Sequence, residues 1–302
     1  MQLSRRRFLT LSAALFVANP AQAAPLHRAR GQALGATVTI LLAHPDAPRI
    51  AARAMAEIAR LERIFSLYDP GSELSRLNAE ARLDAPSFEL LDCLSLCDRV
   101  HAATAGAFDP TIQPLWASYA RHFAEGAAPD AGTLEAERRK TGWHRLRFDA
   151  AQVRLEPGMA LTLNGVAQGF IADRVSELLK AEGLGDILVD TGELRALGGH
   201  PEGGDWPVAL ASGEGLTLRD MALASSAPRG TVFDAAGQVG HILDPRTGLP
   251  AAPRWELVSV TSPSAALADA LSTAFCLMDR QGIELALAKA PQARLVGLKA
   301  QA

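Results

Sequence analysis

The stretch from Ser264 to Met278, SAALADALSTAFCLM, is the part of this chain hardest to place anywhere but in the interior. Ser262-Pro263-Ser264 supplies a helix start signal, and the alanine- and leucine-rich run that follows reads as a helix. Asp269 and Thr273 are four residues apart, so they share one helical face, about 40° from each other in projection. Nearly every neighbour is Ala, Leu, Phe or Cys. An ionised carboxylate in such surroundings needs a partner or a cation, because unpaired burial costs several kcal/mol. Carboxylate and hydroxyl oxygens are the hard ligands Mg²⁺ prefers, with water and substrate phosphate completing its shell. The alternative is a partly exposed aspartate capping a neighbouring element, and the helix alone leaves both readings open.

Two other stretches point towards phosphate. In VGHILDPRTGLP, the alternating run Val239 to Leu243 predicts a strand that carries His241 and breaks at Asp244-Pro245 into a turn ending in Gly248 and Pro250. Asp before Pro is held out of the helical region, Thr247 offers a hydroxyl, and Gly248 lets backbone amides face an anion at close range. The competing reading is an ordinary strand exit with a solvated His241. In LTLNGVAQGF, residues 161–170, a strand turns through Asn164-Gly165 into a helix whose amino terminus favours phosphate. Its glycine spacing is neither that of a P-loop nor that of a dinucleotide fold. Thr191-Gly192-Glu193-Leu194-Arg195 marks a further strand-to-strand break with glycine at the bend.

With 302 residues, 48% apolar and 21% charged, the chain has enough apolar sequence for a large core, which excludes a disordered or fibrous protein. The formal net charge is −3 and no Lys/Arg run is longer than three residues, so there is no electrostatic footprint for nucleic acid. Cys93, Cys97 and Cys276 have no metal-ligand spacing and read as small core residues. At the amino terminus, Ser4-Arg5-Arg6-Arg7-Phe8-Leu9, the apolar run Leu9 to Ala18 and the small-residue site Ala21-Gln22-Ala23 follow one another as in a twin-arginine export signal. The apolar run is too short for a permanent anchor. Cleavage is expected after Ala23, which removes three arginines and takes the charge from −3 to −6. Residues 24–302 are then expected to form one domain in the periplasm.

Along that domain the pattern predicts a first strand over 31–43, a helix over 46–65, a short helix over 72–78 and a helix over 86–105. Residues 123–133 read as a surface loop. Strands are expected at 144–149, 152–156 and 159–163, a helix over 166–182, and strands at 186–190, 193–198, 206–211, 215–224 and 256–262. The helix from Ser264 to Met278, a short helix and a last strand complete an α+β chain.

Seven motifs in order carry a resemblance that spans nearly the whole mature chain. They are Gly35-Ala36-Thr37; Phe65-Ser66 with Tyr68-Asp69-Pro70 and Ser72-Glu73-Leu74-Ser75-Arg76-Leu77-Asn78; Phe108-Asp109-Pro110-Thr111 with Pro114-Leu115; Gly165-Val166-Ala167 with Gly169-Phe170 and Asp173; Gly192 with Ser225-Ser226; His241-Ile242 with Asp244-Pro245, Thr247-Gly248 and Pro250; and Ala268-Asp269-Ala270-Leu271 with Thr273. The chain resembles the ApbE family, the Mg²⁺-dependent FAD:protein FMN transferases, and within it the exported, NosX-type members. The resemblance implies an ApbE-like, T-fold-related architecture of mixed sheets and packed helices with a nucleotide cleft between them. It also implies two ligands, FAD and Mg²⁺. Asp269 and Thr273 fall where the family holds its metal, with the Gly165 carbonyl as third ligand. Tyr68 and Ser72 fall in the flavin pocket, Asp244, Thr247 and Gly248 around the diphosphate, and Thr111, Gln168, Asp173, Gly192 and Ser226 elsewhere in the FAD site. His241 matches the histidine implicated in transfer, where an imidazole takes or orients the acceptor's proton.

The chain also departs from the family. Where many members read D-L-G-G-I-A-K-G it has Thr162, Asn164 and Gln168, so an acid and a lysine are missing. Ala227-Pro228-Arg229 follows Ser225-Ser226 where glycine and an aromatic are usual, and Thr191 replaces the first of two glycines. Leu34-Gly35-Ala36-Thr37 is similar to the acceptor motif of the family's targets but reads as packing in the first strand. The expected activity is transfer of FMN from FAD to a threonine or serine hydroxyl of a periplasm-facing membrane flavoprotein, NosR-like or an Rnf or Nqr subunit, with release of AMP. A FAD-binding or delivery protein, a maturation scaffold and a FAD pyrophosphate hydrolase are the competing readings.

Overall fold

A computed structural model describes residues 25–210 and 213–301; the expected export signal lies outside them. The described chain runs β1 (His27–Ala33), β2 (Ala36–Leu42), α1 (Ala47–Phe65), α2 (Glu73–Glu80), β3 (Arg82–Asp84), α3 (Phe88–Ala103), α4 (Gln113–Ala124), α5 (Ala131–Arg138), β4 (Arg147–Phe148) and β5 (Gln152–Arg154). It continues through α6 (Ala167–Ala181), β6 (Ile187–Asp190), β7 (Leu194–Leu197), β8 (Trp206–Ala209), β9 (Gly215–Leu218), β10 (Ala222–Ser226), β11 (Trp255–Ser262), α7 (Ala265–Phe275), α8 (Arg280–Lys289) and β12 (Arg294–Ala300). Seven strands form an open sheet in the order β1-β2-β6-β7-β10-β11-β12, each pair antiparallel.

Side-chain alternation divides that sheet into two apolar faces. Val38, Ile40 and Leu42 of β2, with Ile187 and Val189 of β6, join the main core beneath α1, α6 and α7. Leu41 and Leu188, one step out of phase, meet Trp206, Val208 and Leu218 of the β8–β9 hairpin, which covers the opposite face. On α1, Ile50, Ala54, Ile58, Leu61 and Phe65 form the buried stripe that the sequence spacing predicts. Phe65 meets Phe170 of α6 edge to face, ring centroids 5.3 Å apart.

Several segments differ from their sequence expectation, each for a local reason. Residues 31–43 contain a hairpin rather than one strand: Ala33 pairs with Ala36, and Leu34 and Gly35 between them take φ of 48° and 75°, the positive values of a two-residue turn. Residues 159–163 are not a strand, because the Asn78 side chain holds both the amide and the carbonyl of Leu161, and the Thr162 amide donates to Pro110. The expected 144–149 strand is a helical turn at Trp143–Arg145 followed by β4. The run 215–224 divides between β9 and β10 in different sheets. Helix α4 was not expected, α5 begins inside the expected loop, and α7 stops at Phe275. Residues 239–243 make only isolated bridges, Val232 to Gly240 and Leu243 to Pro250; Gly240 is packed against the Pro228 carbonyl, and the His241 amide donates to Thr231. Among the described residues no helix is long and apolar enough to cross a membrane.

The crossing of α6 and α7 is the tightest point in the core. A Cβ at Gly169 would overlap the Ala265 carbonyl oxygen and crowd the Ala266 amide. Asp173, one turn along α6, accepts from the Ala265 and Ala266 amides at 2.8 and 3.0 Å and from the Ser264 hydroxyl at 2.8 Å, while Ser264 itself caps α7. A carboxylate at that position satisfies amides the helix cannot and complements its dipole. Gly169→Ala is therefore expected to force the two helices apart and to lower unfolding free energy by about 3 kcal/mol, the upper part of the range for overpacking; urea unfolding followed by far-UV circular dichroism measures it.

Candidate functional site

The α6–α7 crossing brings an acid to the floor of a cleft. Asp269 is 3% exposed, and its Oδ2 accepts from the Gly169 amide at 3.2 Å, in the first turn of α6, where the helix dipole favours negative charge. Burial, opposed only by that bond, pushes its pKa up to about 7. Glu193, on the bend between β6 and β7, is buried beside it and accepts from the Ser225 amide at 3.2 Å. Burial first, and then the charge of Asp269, raise the Glu193 pKa well above the ordinary carboxylate range. No ion pair among the described residues reaches either acid; the nearby Arg195 pairs with Asp173 instead.

Oxygen donors surround the two acids. Thr273 sits one turn beyond Asp269, and a Cβ at Gly165 would lie 3.0 Å from its hydroxyl oxygen, so the Gly165 backbone lies close against that hydroxyl. The Ser226 hydroxyl is 2.7 Å from Ser272 Oγ and 3.4 Å from Thr273 Oγ1. Asp269, Glu193, Thr273, Ser226 and Gly165 all line one cleft of about 340 Å³, within the range of small-molecule sites. Oxygen donors of this kind suit a hard divalent cation. No group of three or more His, Cys, Asp or Glu among the described residues is arranged for a metal, so a cation here draws on hydroxyl, carbonyl and ligand oxygens as well.

His241 lines the same cleft. Its ring Nδ1 lies 3.0 Å from the Thr231 carbonyl oxygen. A carbonyl only accepts, so Nδ1 carries the proton, and in the neutral ring Nε2 carries the lone pair. The loop that bears it is anchored to α4: Phe233 packs on Trp116 and Tyr119, and the Tyr119 hydroxyl donates to the Gly248 carbonyl at 3.1 Å. Gln168 faces the cleft from α6, and Gly192, with φ of 105°, makes room behind it, since a Cβ there would lie 2.8 Å from Gln168 Nε2.

The remaining residues singled out in the sequence are not among those that line this cleft. Tyr68 is 65% exposed on the 66–72 turn. Ser72 is buried and caps α2. Thr111 is buried, donating to Asp109 at 2.6 Å and accepting from the Gly142 amide. Asp173 is engaged by the amino terminus of α7 as described above. Asp244 is held by Arg246 in a two-point ion pair, at 2.8 and 2.7 Å, and with Thr247 it lines a neighbouring cavity. The amides of Arg246, Thr247, Gly248 and Leu249 all donate within the turn itself, so it does not present the ring of amides expected for an anion. The sequence pattern assigned no site role to Glu193, Asp109 or Trp116, which line the cleft. An acid between the apolar runs of β6 and β7 was the available signal for Glu193.

A cleft between a helix-covered antiparallel sheet and a histidine-bearing loop, floored by two buried acids and by hydroxyls, defines a small-molecule-site protein of the α+β class. The sequence pattern of the ApbE family matches residues 34–295, and the chain belongs to that family. It is 31% identical over 231 residues to the FAD:protein FMN transferase of Chlamydia pneumoniae, covering 73% of each chain. It is 26% identical over 309 residues to the protein of the same name from Escherichia coli K12, covering 92% of this chain and 88% of that one. Among solved structures, the apo flavinyl transferase ApbE of Pseudomonas stutzeri superposes with a TM-score of 0.79 at 26% identity over 89% of both chains. The flavin transferase ApbE of Vibrio cholerae gives 0.75 at 25% identity over 90% of this chain and 93% of that one.

Because the folded-state pKa of Asp269 lies above its ordinary 3.8, the native protein between about 3.8 and about 7 holds a proton that the unfolded chain has lost. Without a cation, stability is thus expected to fall as pH rises through that window. Thermal melts in EDTA across it should show a shallower decline for Asp269→Asn; equal slopes in the two proteins would mean that the acid is compensated in another way.

Proposed function

We propose that this protein is a Mg²⁺-dependent FAD:protein FMN transferase that acts in the periplasm after twin-arginine export. The observation that carries the proposal is the meeting, in one cleft, of His241 with two buried acids that have no cationic partner. Asp269, the Thr273 hydroxyl and the Gly165 carbonyl would hold the metal, which when bound neutralises the diphosphate of FAD and polarises its phosphoryl oxygens.

The reaction this site supports joins the acceptor hydroxyl oxygen to the phosphorus of the FMN half and breaks that phosphorus's bond to the bridging oxygen, which leaves with AMP. Phosphoryl transfer asks mainly for in-line placement and charge neutralisation. His241 contributes the proton acceptor: Thr231 fixes its Nδ1 proton, so Nε2 is the atom that takes the hydrogen of the attacking hydroxyl. Tyr119 and Phe233 hold the loop that aims it. Gln168, at the amino-terminal turn of α6, offers an amide side chain to the diphosphate. The proposed acceptor is a threonine or serine of a periplasm-facing membrane electron-transfer flavoprotein, NosR-like as for a NosX-type enzyme, or an Rnf or Nqr subunit.

The test is incubation of residues 24–302 with FAD, Mg²⁺ and a peptide carrying D-x-T-G-A-T, read by intact mass and by AMP release. An FMN adduct with matching AMP is expected. AMP with free FMN and no acceptor dependence marks a hydrolase, and a yellow protein that yields no AMP marks a binding or delivery protein. Asp269→Ala should abolish AMP release. His241→Asn should lower transfer by about 10²–10⁴-fold, the usual contribution of a positioned proton acceptor, with FAD binding retained; full activity in that variant would assign the proton to another group.

A further inference from the structure

Among the described residues, those lining the cleft include three acidic side chains, Asp109, Glu193 and Asp269, and no lysine or arginine. Gln168 stands at the amino-terminal turn of α6, where a basic side chain would reach the same space. Arg229, exposed, stands in the chain between Ala227 and Gly230, which line the cleft, but does not line it itself. A dinucleotide brings one negative charge on each phosphate of its bridge, so it enters a site in which no basic side chain among the described residues offsets those charges. Backbone dipoles at the start of α6 offset the phosphate charge only in part, because Asp269 already uses the Gly169 amide there.

We infer that in this chain the divalent cation is the condition for nucleotide binding itself, beyond its part in the chemistry: FAD and the cation bind as a strongly coupled pair, and Gln168 is the residue that makes the coupling obligatory. The inference rests on the FAD-binding function proposed above. Coupling of this kind is reciprocal, so FAD tightens the cation by the factor by which the cation tightens FAD. Free FAD would then be excluded from metal-depleted protein, while an uncharged flavin would meet no such barrier.

Equilibrium dialysis and quenching of flavin fluorescence, in EDTA and in saturating MgCl₂, test this on the mature protein without any turnover. FAD affinity is expected to fall on the order of 100-fold in EDTA, the upper end of ordinary ligand–ligand coupling. Riboflavin affinity should be unchanged by the metal. Gln168→Lys should bind FAD in EDTA more tightly than the wild type does and should show a smaller metal effect. Equal FAD affinity with and without Mg²⁺ in the wild type overturns the inference and leaves the function standing; loss of that metal-free binding in Arg229→Ala would then place the missing positive charge on the rim. A metal effect of equal size on riboflavin also overturns it, because the metal would then be shaping the site rather than neutralising the ligand. No FAD binding in MgCl₂ removes the proposed function and this inference together.

Discussion

Asp269 can be buried only because two helices approach more closely than side chains normally allow. Gly169 removes the Cβ that would strike the Ala265 carbonyl, and its own amide then reaches the carboxylate. The same crossing is held one turn further on by Asp173, which accepts from the first amides of α7 and so sets where that helix starts. The position of the acid along the cleft floor is therefore a property of the helix pair and not of any loop. An acid on a rigid element, locked by packing, is the arrangement in which a site holds its geometry between ligands.

Around this fixed floor the molecule assembles a cleft with little positive charge. The sheet supplies Glu193 at the β6–β7 bend and Ser225 and Ser226 at the end of β10, while α6 supplies Gln168. A further wall comes from the 230–248 loop, which α4 holds through Phe233 and through the Tyr119 bond to Gly248. The turn that follows His241 is closed on itself by Asp244 and Arg246, so it acts as a strut for the histidine. The acids, the histidine and the aromatic rings that hold its loop thus come from different elements, with burial raising the pKa of both acids on the floor.

Period and capping signals were enough to find α1, α3, α6 and α7. Each has a long apolar stripe or run, and Ser87 and Ser264 mark two of their starts with side-chain caps. They failed where backbone hydrogen bonds go to partners distant in sequence. Leu161 reads as a strand residue, but Asn78, 83 positions away, takes its amide and carbonyl. The alternation from Val239 to Leu243 is genuine, yet the loop at 228–233 engages that backbone first. Helix α4 was missed, although its aromatic residues form the packing that locates the histidine loop.

The sequence by itself determined the α+β class, the family, and the presence of a carboxylate and a hydroxyl on one face of an apolar helix. Those follow from local spacing and from ordered motifs, which are properties of the chain in one dimension. Tertiary structure decided which of the marked residues share a cleft. It brought His241, Gln168, Ser226, Gly165, Asp269 and Thr273 together, added Glu193, and placed Ser72, Thr111 and Asp173 in capping and bracing roles. The physical reason is that a short polar side chain beside a helix start looks the same in sequence whether it binds a ligand or an orphan amide, and only the surrounding packing decides which of the two it meets.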